Sequence, residues 1–182
     1  MNILAISGSL RTRSYNTALL RAAARLAPAG ITVELYRELG VLPLFNPDHE
    51  VANLPMVARL HTQLLTADGV LIASPEYAHG VSGPMKNALD WMVGTEAFVD
   101  KPVAVFNASP RAHHALEAIK ETLSLMSARL IDSAELTIPL LGSGLEENGI
   151  LSRHDLSAEI TSALSRFRAA VAARIPATTS AT

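Results

Sequence analysis

Four polar residues, Ser9, Arg11, Ser14 and Asn16, are spaced over eight positions near the start of the chain. They follow an apolar run, residues 3–6, and precede a segment whose apolar residues have helical spacing. The start of a helix offers unpaired backbone N–H groups and positive potential, and these side chains add hydrogen-bond donors and one positive charge. The loop therefore predicts a phosphorylated ligand, with helix capping as the alternative role of its serines and asparagine.

A second loop, residues 74–83, is rich in turn-forming residues and follows another short apolar run. Pro75 restricts its turn, and Gly80 and Gly83 allow the backbone to approach a flat ligand closely. The exposed amides after Pro75 are able to reach the carbonyl groups and ring nitrogens of a heterocycle. The loop therefore indicates a broad, planar group next to the phosphorylated one.

Short apolar runs alternate with amphipathic segments along the chain, which is the pattern of repeated β-then-α units. The run over residues 2–7 is almost continuously apolar, as expected for a strand that is buried on both faces. This predicts an α/β fold, a flavodoxin-like doubly wound sheet of five parallel strands in the order 2-1-3-4-5 with helices on both faces. A single domain over residues 1–176 is expected, followed by a small, polar and disordered tail. The predicted strands are residues 2–7, 32–36, 70–73, 103–108 and 135–138, and the predicted tail is residues 177–182.

The predicted topology brings the distinctive loops together. In a doubly wound sheet, ligands bind beyond the carboxyl ends of the strands, where the strand order reverses. For the order 2-1-3-4-5 this point lies between strands one and three, which end at the two loops described above. The fourth strand ends at the same edge and brings residues 107–111 close to them. We therefore expect three loops to converge on one ligand.

The composition favours a small-molecule ligand. A net charge of −2 gives no general basic surface for nucleic acid, and an aromatic content of 4% leaves few platforms for stacking bases. These two values lead us to expect no nucleic-acid partner. No apolar run is long enough to cross a bilayer, so we expect no membrane partner, and we expect a cytoplasmic location. The chain has no cysteine, which excludes disulfides, thiolate metal sites and cysteine nucleophiles. Any redox chemistry must then come from a bound cofactor.

Three motifs together carry a family resemblance. They are Gly-Ser-Leu-Arg with a following Ser-x-Asn (residues 8–16), Pro-Glu-Tyr (residues 75–77) and Lys-Asn-Ala-Leu-Asp-Trp (residues 86–91). In this order and spacing the chain resembles the NADPH-dependent FMN reductase family, which is flavodoxin-like and includes quinone, azo-dye and chromate reductases. The resemblance extends to about Leu130 and is generic after it. In one departure, Ala78 stands where many members have asparagine.

The resemblance implies a site for FMN and assigns residues to its parts. The first loop would hold the FMN phosphate through its side chains and through the backbone amides of Leu10 and Tyr15. The second loop would line the isoalloxazine ring, with the amides of Glu76 and Tyr77 facing its pyrimidine edge, and the third loop would hold the other side. The residues so implied are Ser9, Leu10, Arg11, Ser14, Tyr15, Asn16, Pro75, Glu76, Tyr77 and Ser109.

The resemblance also implies the reaction. An FMN-dependent NAD(P)H oxidoreductase would pass hydride from NADPH or NADH to FMN, and then to a quinone, an azo compound, a metal oxyanion or free flavin. One shared site would give ping-pong kinetics. No catalytic side chain and no metal are expected, because the flavin carries the chemistry. Family members are commonly dimers or tetramers, which implies a homodimer or homotetramer with residues 42–48 at its boundary.

Other interpretations of these residues stay open at this point. A non-enzymatic FMN electron carrier of the flavodoxin type is the main alternative, although such carriers are usually strongly acidic and place aromatic residues around the flavin. A phosphate-binding hydrolase on the same fold would lack a cysteine nucleophile here. Arg11, Arg13 and Arg111 are each candidates for contacting the 2′-phosphate of NADPH. Residues 142–144, although glycine-rich, are interpreted as an ordinary loop.

Overall fold

The computed structural model describes residues 1–173 of the chain, which form eight strands and six α-helices. The predicted tail lies outside these residues. The strands are β1 (Asn2–Ser7), β2 (Thr32–Tyr36), β3 (Gly69–Ala73), β4 (Glu76–Tyr77), β5 (Gly80–Val81), β6 (Pro102–Asn107), β7 (Arg129–Leu130) and β8 (Leu136–Thr137). The helices are α1 (Tyr15–Arg25), α2 (Pro55–Thr66), α3 (Gly83–Val93), α4 (His113–Leu125), α5 (Glu147–Leu151) and α6 (His154–Ala172). Short 3-10 helices lie at Leu39–Val41, Val51–Asn53 and Asp132–Ala134.

The central sheet is parallel, with the strand order β2-β1-β3-β6 and with β7 and β8 both pairing with β6 at its far edge. This confirms the predicted flavodoxin-like order 2-1-3-4-5, in which β6 is the fourth strand. The order reverses between β1 and β3, which pair from Ile3 beside Gly69 to Ser7 beside Ala73. The carboxyl ends of β1, β3 and β6 therefore open on one edge of the sheet.

The fifth strand differs from the prediction of one strand over residues 135–138. It consists of two strands of two residues each, β7 and β8, separated by the 3-10 turn Asp132–Ala134. Lys120 on α4 holds this turn through Glu135 (Nζ–Oε2 2.9 Å) and Asp132 (Nζ–Oδ1 3.2 Å). The hydrogen bond to Glu135, and then that to Asp132, raises the pKa of Lys120 above its ordinary value. Two ion pairs from the helix that precedes β7 thus hold the interruption in place.

Alternate residues of the buried strands face two hydrophobic cores, one on each side of the sheet. Ile3 and Ala5 of β1 face the core that α1 and α6 cover, whereas Leu4 and Ile6 face the core that α2, α3 and α4 cover. This arrangement confirms the prediction of helices on both faces. Because β1, β3 and β6 are buried on both sides, their sequences are almost continuously apolar.

Two short elements are not predicted by the sequence pattern. The loop after β3 contains a β-hairpin, in which β4 pairs antiparallel with β5. Residues 147–151 form α5, which packs on α1. Within residues 1–173, no helix has the length and apolar character that a membrane span requires.

Candidate functional site

The loops that follow β1, β3 and β6 line a cleft of about 250 Å³ at the carboxyl edge of the sheet, as the topology requires. Sites that enclose a drug-sized ligand span about 300–1,000 Å³, so a nucleotide would project from this cleft. The side chain of Leu10 lies outside it, against Gly40. The structure brings the other implied residues together, and their roles toward a ligand stay predictions. Those lining the cleft are Ser9, Arg11, Ser14, Tyr15, Asn16, Pro75, Glu76, Tyr77 and Ser109.

The first loop is shaped by its own hydroxyl groups. Ser14 is the N-cap of α1, where its Oγ accepts a hydrogen bond from the backbone N–H of Thr17 at 3.2 Å. Ser9 Oγ accepts a hydrogen bond from the backbone N–H of Arg11 at 3.4 Å. Helix capping is therefore one role of Ser14, while its hydroxyl hydrogen can still be donated to a ligand.

Asn16, in the first turn of α1, carries a polar atom without a partner. Only 8% of this residue is exposed, yet its Oδ1 makes no hydrogen bond with any group of residues 1–173. Leaving a buried acceptor unpaired costs about 1–3 kcal/mol. Since Asn16 lines the cleft, a ligand that donates a hydrogen bond there would satisfy it. This atom therefore points to a ligand with a donor group next to the first loop.

A buried network of three residues, Gly8, Ser74 and Ser82, joins the first two loops and is called the Gly8 network below. Ser82 Oγ donates to the carbonyl of Gly8 at 2.7 Å and lies 3.1 Å from Ser74 Oγ. A Cβ atom at position 8 would lie only 2.4 Å from Ser74 Oγ, so glycine alone fits without a shift. The sequence did not predict a role for Ser74 or Ser82. The only local indication is that they lie near the two ends of the turn-rich loop.

The hairpin of the second loop turns through two residues in the left-handed region. Ala78 has a φ of 49° and His79 a φ of 59°, a conformation that costs a residue other than glycine about 1–3 kcal/mol. Asparagine adopts this conformation more readily than alanine, so Ala78 is more strained here than the asparagine of many family members would be. The ring of His79 stacks on His114 at the start of α4, with ring centroids 4.5 Å apart. Packing on α4 thus holds the strained turn.

Glu76 connects the same hairpin to α4. Its Oε2 accepts a hydrogen bond from the backbone N–H of Ala115 at 2.9 Å, in the first turn of a helix that has no side-chain cap of its own. This hydrogen bond lowers the pKa of Glu76 below its ordinary value of 4.5. Desolvation opposes the shift, and the charges of His114 and His113 reinforce it. The carboxylate therefore fixes the second loop against α4.

We expect the link between Glu76 and α4 to weaken at acid pH. Because the folded-state pKa of Glu76 lies below the ordinary value of 4.5, its stabilising contribution is fully present above that value and is lost as the pH falls through the folded-state pKa. The difference in melting temperature between the wild type and Glu76→Gln should be largest near pH 7 and should shrink as the pH falls toward about 3. Thermal unfolding followed by circular dichroism measures it, and a difference that does not change with pH would contradict the prediction.

The third loop, residues 107–112, is held by the buried side chain of Asn107. Its Oδ1 accepts a hydrogen bond from the backbone N–H of Ser109 at 3.0 Å, and its Nδ2 donates to the carbonyl of Ala112 at 3.4 Å. Ser109 Oγ in turn accepts a hydrogen bond from the backbone N–H of Arg111 at 3.3 Å. The loop therefore presents Ser109 and Arg111 to the cleft from a fixed backbone.

Residues 142–144, interpreted from the sequence as an ordinary loop, belong to a fourth loop that touches the first. The backbone N–H of Gly144 donates to Tyr15 Oη at 3.1 Å, and Glu146 pairs with Arg13 (Oε1–Nε 2.7 Å). The topology of the sheet could have predicted this contact. The loop follows the fifth strand, whose carboxyl end faces the same edge as the cleft.

Known proteins with similar sequences and folds show which family the chain belongs to. The family model for NADPH-dependent FMN reductases matches residues 1–140. An NAD(P)H-dependent FMN reductase of Pseudomonas aeruginosa is 33% identical over 157 residues, which cover 83% of this chain and 84% of that protein. A quinone reductase of Pseudomonas putida is 32% identical over 158 residues, again covering 83% and 84%. Among solved structures, FerB, a flavoenzyme NAD(P)H:(acceptor) oxidoreductase from Paracoccus denitrificans, has the same fold, with a TM-score of 0.75 and 24% identity over 92% of this chain and 97% of that one.

The region that the family model matches contains the three loops that meet at the cleft. Residues 1–140 include the first loop with its arginine, the hairpin loop after β3 and the loop after β6. The same region carries the three motifs on which the resemblance depends. The chain belongs to the NADPH-dependent FMN reductase family.

Proposed function

We propose that this protein is an FMN-dependent NAD(P)H oxidoreductase that reduces quinones. Family membership confirms the oxidoreductase and its use of FMN and NAD(P)H, and it does not favour a non-enzymatic electron carrier. The quinone is proposed from the relative named a quinone reductase. The observation that carries the proposal is the meeting of the arginine-bearing first loop and the hairpin loop at one cleft, where Asn16 Oδ1 lacks a donor. A cytoplasmic location, where NAD(P)H is available, is part of the proposal.

The residues of the cleft fit FMN. The N-terminus of α1 and the guanidinium of Arg11 suit its phosphate, because both favour negative charge. The hydroxyl groups of its ribityl chain are donors that would satisfy the unpaired Oδ1 of Asn16. We assign the amides of Glu76 and Tyr77 to the polar edge of the flavin ring. The remaining residues implied by the resemblance complete the proposed site, with Leu10 contributing through its backbone.

The contribution of the chain to the reaction is to bind and to orient. Bound FMN supplies the hydride transfer between NAD(P)H and the oxidising substrate. Tyr77 is 55% exposed, so the hairpin leaves the mouth of the cleft open for a second molecule. Because one open face serves both substrates, the first must leave before the second enters. We therefore expect ping-pong kinetics.

Absorbance spectroscopy tests the proposed function. Protein incubated with FMN and then desalted should retain flavin absorbance, anaerobic NADPH should bleach it, and benzoquinone should restore the oxidised spectrum. Flavin that is retained but not bleached by NADPH or NADH would contradict the reductase, and flavin that is not retained would contradict the site. Restoration by an azo dye or free FMN, but not by benzoquinone, would contradict the quinone as acceptor.

We also propose that the chain forms a homodimer or homotetramer through the loop of residues 42–48. Trp91 Nε1 on α3 donates to the carbonyl of Pro43 at 2.8 Å and so fixes this loop. The ring of Phe45 packs edge-on against Trp91, with centroids 5.1 Å apart. Leu44 is 85% exposed and Phe45 43% exposed. A rigid, exposed apolar pair of this kind is suited to the buried centre of an interface.

The variant Leu44→Glu is expected to shift the assembly toward the monomer, because an interface core tolerates an unpaired charge poorly. Size-exclusion chromatography with light scattering at micromolar concentration measures the change in mass. Leu125→Glu is the matched control, since Leu125 is 82% exposed on α4 and should leave the mass unchanged. A wild-type protein that is already monomeric would refute the proposed assembly.

A further inference from the structure

Within residues 1–173, three arginines line the cleft, and the proposed FMN phosphate accounts for only one of them. They are Arg11, Arg13 and Arg111. Arg13 is paired with Glu146 of the fourth loop at 2.7 Å, which compensates its charge. Arg11 lies in the loop before α1, where the FMN phosphate is proposed to bind. Arg111 is therefore left with a charge that neither a protein group nor FMN uses.

Arg111 lies on the side of the cleft away from the first loop. It follows β6, and β3 separates β6 from β1 in the sheet. At about 4.8 Å for each strand spacing, the ends of β1 and β6 are roughly 10 Å apart. The side chain of Arg111 is exposed, and no carboxylate of residues 1–173 lies within 4.0 Å of its guanidinium. A guanidinium group carried by a fixed backbone suits the bidentate binding of a phosphate.

The neighbouring helix terminus does not provide a competing anion site. Glu76 already accepts the N–H of Ala115 in the first turn of α4, and it adds a negative charge there. The imidazole of His114 lies between those of His113 and His79, with ring centroids 4.1 Å and 4.5 Å away. Among residues 1–173, Arg111 thus provides the guanidinium that lines this side of the cleft.

We propose that Arg111 binds the 2′-phosphate of NADPH and gives the enzyme a preference for NADPH over NADH. This assignment rests on the proposed function, which brings the nicotinamide cofactor to the same cleft as FMN. Of the phosphates in NADPH, the 2′-phosphate is a monoester with three terminal oxygens and a charge of about −1.5 to −2 at pH 7, as in other phosphate monoesters. Each of the two phosphates of the pyrophosphate has only two terminal oxygens and a single negative charge. The monoester is therefore the better match for an unpaired guanidinium.

The variant Arg111→Ala should raise the KM for NADPH roughly tenfold or more, as expected for losing a hydrogen bond to a charged group. The KM for NADH and the Kd for FMN should not change. Calorimetric titration with NADP+ and NAD+, which requires no turnover, should show the same selective loss. Arg111→Lys keeps the positive charge but lacks the planar guanidinium, and it should lose less affinity for NADP+ than the alanine variant. Arg37→Ala removes an exposed positive charge outside the cleft and should change none of these values.

The outcomes separate this assignment from the function on which it rests. Equal losses for NADPH and NADH would overturn the assignment, because they would place Arg111 at a group that both cofactors share. A loss of FMN affinity would also overturn it, because the guanidinium would then serve the FMN phosphate. Selective loss of NADP+ binding in a protein that oxidises neither NADPH nor NADH would support the phosphate site while refuting the proposed reductase.

Discussion

Replacement of Gly8 by alanine is expected to destabilise the protein by about 1–3 kcal/mol, the usual cost of overpacking a filled interior. The new Cβ would lie 2.4 Å from Ser74 Oγ and 2.7 Å from Ser82 Oγ. Both hydroxyls are buried members of the Gly8 network, so neither can move away without losing a hydrogen bond. Because this network joins the first loop to the hairpin loop, the affinity for FMN should fall together with the stability.

Urea unfolding and FMN titration of the same Gly8→Ala preparation measure the two effects. Gly94→Ala is the matched control, because a Cβ at Gly94 would meet no atom within 4 Å and the residue, which follows α3 with a φ of −87°, lies outside the cleft. That control should be neutral or slightly stabilising. If Gly8→Ala unfolds at the same urea concentration as the control and binds FMN as tightly, the Gly8 network does not hold the two loops together.

The variant Arg11→Ala is expected to weaken FMN binding by about 1.5–3 kcal/mol, the range for a hydrogen bond to a charged group. This corresponds to a Kd higher by roughly 10- to 150-fold. Arg11 is exposed and pairs with no carboxylate of residues 1–173, so its removal should leave the folded structure unchanged. Arg11→Lys should recover part of the affinity for FMN, because it keeps the positive charge but not the planar guanidinium.

Quenching of flavin fluorescence gives the affinity of each variant for FMN and for riboflavin. Riboflavin has the same ring and ribityl chain but no phosphate, so Arg11→Ala should bind it as well as the wild type does. Equal losses for the two ligands would show that Arg11 supports the loop rather than the phosphate. An unchanged affinity for FMN would remove Arg11 from the site.

Most of the fold could be predicted from the sequence because its main strands are buried on both faces. Apolar runs form β1, β3 and β6, and these strands and the edge strand β2 lie within one residue of their predicted bounds. The fifth strand could not be predicted in detail, since the ion pairs that hold its interruption join Lys120 of α4 to Asp132 and Glu135. The hairpin was missed for a local reason. Its turn residues, Ala78 and His79, are not those that a turn with two positive φ angles favours.

The cleft could be predicted from topology, whereas the contacts that shape it could not. Parallel strands in the order 2-1-3-4-5 place the three loops at one edge whatever their side chains do. The contact between Glu76 and Ala115 and the bond from Ser82 to Gly8 join residues that lie far apart in sequence. No local sequence pattern predicts such contacts. The same holds for the ion pair between Arg13 and Glu146, which sets Arg13 apart from Arg11 and Arg111.

The split fifth strand also affects how the protein behaves when it is concentrated. The outer strand of a sheet presents unpaired backbone groups on which a strand of another molecule can add, which leads to aggregation. Segments as short as β7 and β8, with two residues each and a helical turn between them, offer no continuous row of such groups. At the opposite edge, β2 exposes the charged side chain of Glu34, which discourages a strand from docking there. The sheet is thus protected at both edges against growth from one molecule into the next.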